Sequence, residues 1–169
     1  MVKATDCPDI RDIRPPAGKA ALVIAETTRY ENYDLEDNPD IRHFLDRKFI
    51  GTIKSHSFLV AAVEPGNHYV TANGENFETL LLNFEAGKTY FLVQERSMGL
   101  FRPRTRYVQV KADRVSDDLN GNRSCYTMDA QDPGNDLDED TFAKIVADYT
   151  RKYGNKPLAP GETNHTRGL

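Results

Sequence analysis

Apolar and polar residues alternate with a period of two over most of Lys19 to Ala112, with short intervals between the apolar runs. That pattern predicts an antiparallel β domain. Ala20-Ala21-Leu22-Val23-Ile24-Ala25 is apolar on both faces, so it should lie centrally in a sheet with packing on each side. The next stretch, Tyr30 to Asp40, is acidic and closes on Asn38-Pro39-Asp40, a helix-start signal that predicts a short helical turn through Ile41, Phe44 and Leu45. Phe49 to Ile53 and Phe58 to Val63 read as strands. Glu64-Pro65-Gly66-Asn67 reads as a type II turn that returns His68 to Ala72 antiparallel, and Asn73-Gly74 as a two-residue type I′ hairpin loop. Leu80, Leu82 and Phe84 mark one face of the next strand, Glu85 to Lys88 a turn, and Thr89 to Val93 another strand. Val108, Val110 and Ala112 complete a set of seven.

The period changes after Leu137, where Phe142, Ile145, Val146, Tyr149 and Tyr153 trace one face of a helix over 138–153. Asp138 is placed to cap it, Leu137 and Phe142 to staple it, and Gly154 to end it. These elements predict a mainly β protein: an antiparallel sandwich, transthyretin-like or immunoglobulin-like, with one C-terminal α-helix covering a sheet face or edge. Its core should hold Leu22, Ile24, Phe49, Val60, Val70, Leu80, Leu82, Tyr90, Leu92, Val108 and Val110. Residues 19–154 would form a single domain, with 1–18 a flexible leader rich in Pro and 155–169 a disordered tail.

Composition narrows the function classes. With 169 residues, a formal net charge of −4 and no apolar run of roughly 20 residues, the chain predicts no transmembrane span and no nucleic-acid partner. Its two cysteines, Cys7 and Cys125, have no metal-knuckle or redox-pair spacing, though one bridge between them stays open. There is no G-x-S-x-G elbow, no P-loop and no G-x-G-x-x-G after a strand, so no cofactor is expected.

The candidate chemistry is sparse. His68, following the Pro-Gly turn, is a candidate ligand-binding residue, though a histidine there more often bonds a nearby carbonyl or faces water. His43, flanked at three residues on either side by Asp40 and Asp46, would share a helix face with them and offer a weak metal site; three convergent ligands are the least such a site needs. His56 stands in a loop without an evident partner. Asp129, Asp132, Asp136, Asp138, Glu139 and Asp140 do not fit the calcium-loop frame, and the last of them serve the helix start. Asp117 to Asn122 reads as a turn about Asn120-Gly121. Arg96, Arg102, Arg104 and Arg106, interleaved with Phe101 and Tyr107, form the densest basic cluster and a candidate anion-binding loop; the bland alternative is a solvated loop answering the acidic excess.

Lys48-Phe49-Ile50-Gly51, Phe58 to Val63, Pro65-Gly66-Asn67-His68 and Ala86-Gly87-Lys88-Thr89-Tyr90-Phe91 occur in the order seen in a bacterial family catalogued as domain of unknown function 2846. The chain resembles that family over about residues 19–115. Its members are often small envelope lipoproteins, so the resemblance implies a periplasmic or envelope location, although Met1 to Pro16 carries no signal-like apolar run; a cytoplasmic location is the alternative. Three functions follow as expectations. The first is a non-enzymatic envelope binding or assembly module recognising protein, glycan or lipid headgroup through loops at one end of the sandwich. The second is a metal-dependent or hydrolytic enzyme built on His43 or His68 with nearby carboxylates. The third is a structural spacer.

Overall fold

The computed structural model describes residues 2–3, 8–26, 41–53, 57–97, 104–119, 124–127, 136–162 and 164. The strands are β1 (Val2–Lys3), β2 (Ala20–Glu26), β3 (Arg42–Leu45), β4 (Lys48–Thr52), β5 (Ser57–Val63), β6 (Gly66–Asn73), β7 (Phe77–Phe84), β8 (Thr89–Ser97), β9 (Arg104–Val110) and β10 (Ser124–Thr127). Two helices, α1 (Ala112–Leu119) and α2 (Glu139–Tyr153), and a 3-10 turn at Ile10–Asp12 accompany them. One sheet runs β1-β10-β5-β2-β8-β9 and the other β4-β3-β6-β7. They pack as a two-sheet sandwich, the mainly β architecture that the alternation predicts.

The apolar run at β2 lies between β5 and β8 with all seven residues buried, as a strand apolar on both faces must. Leu22 and Ile24 face the second sheet in the main core with Leu59, Val70, Leu80, Leu82, Phe84 and Leu92. Val23 and Ala25 face the other way, under Ile10, Ile13 and the α1 residue Val115. Beyond the second sheet, Phe44 packs with Leu137 and Ile145 at α2. Both sheets are therefore covered on both sides. This explains why Phe49, Val60 and Val110, expected between the sheets, lie on outer faces beneath helical elements instead.

The pairing departs from a run of hairpins. β5 already has β2 and β10 as neighbours, so β6 cannot pair with it; Glu64 and Pro65 carry the chain across to the other sheet, and Gly66, at φ +131, opens β6 rather than filling a type II turn. β8 also follows a crossing, which sets it parallel to β2, and β10 is parallel to β5, so the larger sheet is mixed and not antiparallel throughout. The β6–β7 loop has three residues, 74–76, closed by Gly74 N–H to Asn76 O at 3.0 Å, in place of the two-residue Asn-Gly turn.

The helical turn predicted through Ile41, Phe44 and Leu45 is the strand β3. It forms a hairpin with β4 around Asp46, which takes φ +53. Asp tolerates this left-handed conformation better than most residues. The expected turn at Asp117 begins inside α1, and Ala112 starts that helix instead of ending a strand. Helix α2 keeps its predicted signals: Asp138 accepts Thr141 N–H at 2.8 Å, and Gly154 at φ +76 donates its N–H to Thr150 O. The described part of the expected flexible leader puts Ile10 and Ile13 into the outer core. In the described part of the expected tail, Leu158 is buried in the main core and its N–H is bonded to Leu81 O at 2.9 Å. It occupies the flank between the edge strands β7 and β9, where Gln109 Nε2 donates to Ala159 O and Glu162 O.

Candidate functional site

Register places polar residues where apolar ones would be expected. Glu26, Gln94 and Tyr107 are consecutive partners across β2, β8 and β9, and all three are fully buried. From the opposite sheet, His43 pairs with Ala72, which pairs with Glu78, so one layer at one end of the sandwich is polar. Glu26 Oε2 accepts from Gln94 Nε2 at 2.8 Å and from Arg96 Nε at 2.7 Å, and Arg96 Nη2 donates to Ile53 O at 3.2 Å. A carboxylate removed from water survives only with such charge-assisted partners.

His43 Nδ1 lies 2.6 Å from Tyr107 Oη, spanning the two sheets. Burial, reinforced by the Arg96 charge, lowers the His43 pKa to about 3, although Gln94 favours the charged ring; the imidazole is therefore neutral at pH 7. Burial and the nearby Glu78 hold the Tyr107 hydroxyl well above the usual phenol range, so it is protonated. Both partners are neutral, and the pair serves as an inter-sheet strut. Five buried side-chain atoms have no hydrogen-bond partner among the described residues: His43 Nε2, Gln94 Oε1, Thr105 Oγ1, Glu78 Oε1 and Asn164 Oδ1. Apart from the histidine nitrogen, all are oxygens that accept; the Thr105 hydroxyl, and the Glu78 carboxyl when protonated, also donate.

Glu78 joins this layer to a groove. Burial raises its carboxyl to about 7, against the opposing pull of the Tyr107 backbone N–H, the Asn164 side chain, Arg106 and Lys152. The groove, of about 580 Å³, runs between α2 and the start of β7 with Asn164 also lining it. Lys144, Asp148 and Lys152 recur at one helical face along it, with Tyr149 and Tyr153 beside them. Tyr149 and Tyr153 stack obliquely at 5.2 Å between centroids. Lys152 Nζ pairs with Asp148 Oδ2 at 2.7 Å, and Asp148 is held below the usual carboxylate range chiefly by that bond. Lys144 has no ion-pair partner among the described residues, although Asp140 lies one helical turn before it. Phe77, at 45% exposure, is the one exposed large apolar side chain among the described residues, and it lines this groove.

The residues singled out from the sequence are dispersed. The alternation of β9 sends Tyr107 inward and Arg104 and Arg106 outward, where they pair with Glu75 at 3.2 Å and Glu95 at 2.7 Å. Arg96 is taken up by Glu26 in the interior, so the arginines do not form one anion-binding cluster. Phe101, Arg102, Asp40, His56 and a bridge between Cys7 and Cys125 lie outside the described residues.

The His43–Asp46 helix face does not exist, because both sit on a hairpin. Asp46 instead meets His68: Oδ2 lies 2.7 Å from His68 Nδ1, while Oδ1 accepts Tyr69 N–H at 2.9 Å. His68 also packs edge-on against Phe84, which packs on Tyr90, whose hydroxyl accepts Glu85 N–H. The Pro-Gly-x-His and Gly-Lys-x-Tyr segments thus lock the far end of the sandwich. Along β6, His68 is four residues, about 13 Å, from the residue paired with His43, so the two do not converge. No group of three metal-ligating side chains exists among the described residues.

Glu78, Gln94, Glu26 and the α2 face were missed as site residues. The available signal was the repeated interruption of inward positions by polar residues, at Glu26, His43, Glu78 and Gln94, in strands whose inward residues, Arg96 apart, are otherwise apolar. No family model, no curated protein and no solved structure matches the chain.

Proposed function

We propose that this protein is a non-enzymatic binding module that takes a polar ligand in the groove between α2 and β7. The carrying observation is Phe77, a large apolar side chain left exposed at a concave site that also presents Lys144 and Glu78. A groove of this size with a few convergent polar groups and one strongly shifted carboxyl is the usual form of a ligand site. The envelope is the proposed setting, on the strength of the family resemblance over residues 19–115, with protein, glycan and lipid headgroup as the candidate partners. The site belongs to rigid elements, a helix and a strand, in place of the end loops expected from the arginine positions. The groove is testable by amide NMR with a panel of small peptides, sugars and headgroup analogues. Shifts confined to residues 76–79 and 141–153, and lost in Phe77→Ala, support it; responses located elsewhere, or unchanged in Phe77→Ala, defeat it.

A further inference from the structure

Building on that groove reading, we propose that the ligand is a saccharide bearing a carboxylate, with the anion held by Lys144 and a sugar face laid against Phe77 and Tyr153. Each part follows from which groups are already engaged. Asn76 spends its side-chain amide on Thr105, Thr79 Oγ1 lies against Thr71 Oγ1, Thr141 Oγ1 donates to Asp138, and Lys152 is tied to Asp148. What remains is Lys144, which has no ion-pair partner among the described residues, the rings, and beneath them two lining residues, Glu78 and Asn164, whose Oε1 and Oδ1 are buried with no hydrogen-bond partner among the described residues.

A pyranose matches this set. Its hydroxyls donate to acceptor oxygens, its flat C–H face suits an aromatic side chain, and a carboxylate answers the lysine. An extended peptide offers backbone N–H groups to the same oxygens; what it lacks is the flat C–H face that a pyranose lays against Phe77 and Tyr153. Charge sets the condition. With Glu78 protonated, Lys144 and Lys152 exceed Asp148 by one positive charge; with Glu78 ionised that excess vanishes. The groups facing Glu78 are Arg106, the Tyr107 N–H and the Tyr107 hydroxyl from β9, Lys152 from α2 and Asn164 from the C-terminal segment. Binding of the acidic sugar therefore takes up a proton and weakens as pH rises from 6 to 8.

The test is an NMR titration of the intact protein with trigalacturonate, maltotriose and the peptide Glu-Glu-Glu. Trigalacturonate should shift the groove residues at least tenfold more tightly than either control, lose about tenfold in Lys144→Gln, and lose its pH dependence in Glu78→Gln. Lys144 is exposed, so its replacement leaves folding intact. Groove binding of maltotriose or of the peptide as tight as that of trigalacturonate, or indifference to Lys144→Gln, overturns the acidic sugar while leaving the groove. No groove response to any of the three overturns both.

Discussion

The two ends of the sandwich use the same residue type in opposite ways. At one end His43 is fully buried, neutral and braced by Tyr107 from the facing sheet. At the other, His68 is 20% exposed and carries Asp46 on the same nitrogen position, Nδ1. The first end is a polar layer enclosed by strands, where every unsatisfied atom costs free energy. The second is a rim of tight turns, where water screens what the protein leaves unpaired. Chemistry accumulates at the enclosed end because desolvation, not sequence motif, is what perturbs a side chain there.

Removing partners at the two ends should separate them by energy. Arg96→Ala strands the buried Glu26 charge and should destabilise by about 3–5 kcal/mol in urea unfolding. A loss below about 1 kcal/mol would mean that water reaches this layer and that the contrast between the ends is false.

Glu78→Gln comes next. Its carboxyl is raised from the ordinary 4.5 to about 7, so the wild type is unpenalised below pH 4.5, loses stability between 4.5 and 7, and is level above. The variant should lack that slope and gain up to about 3 kcal/mol at pH 8, read from urea midpoints at pH 4.5 and 8. Tyr107→Phe leaves His43 Nδ1 without its partner and should cost about 1–3 kcal/mol. His68→Ala at the rim should cost less than about 1 kcal/mol, with a shallow dependence on salt. A larger effect for His68 than for Tyr107 would invert the comparison.

Strands were legible wherever alternation met a clear turn, as at β2, β5 and β7, and α2 was legible from both caps. Which strands pair was not. Turn chemistry reports a change of direction, but Glu64-Pro65-Gly66 makes the same local bend whether the chain returns beside β5 or crosses to the other sheet. Vacant neighbours decide that, and neighbours are nonlocal. β3 was misread because the Asn38-Pro39-Asp40 helix signal outweighed four residues whose hairpin depends on Asp46 holding a positive φ.

The site shared this difficulty. Arg96 and Arg106 look equivalent in the chain, yet strand parity buries one and exposes the other. The groove needs α2 set against β7, a relation that neither segment announces alone.

The packing of Leu158 bears on how the molecule is made. It follows every described strand and helix in chain order, yet it seals the flank between β7 and β9. A nascent chain that has emerged only as far as Gly154 therefore has both sheets in hand with one side of its interior unsealed. Leu158 closes that flank like the last teeth of a zip, and chains cut short before it offer their β7 edge to one another.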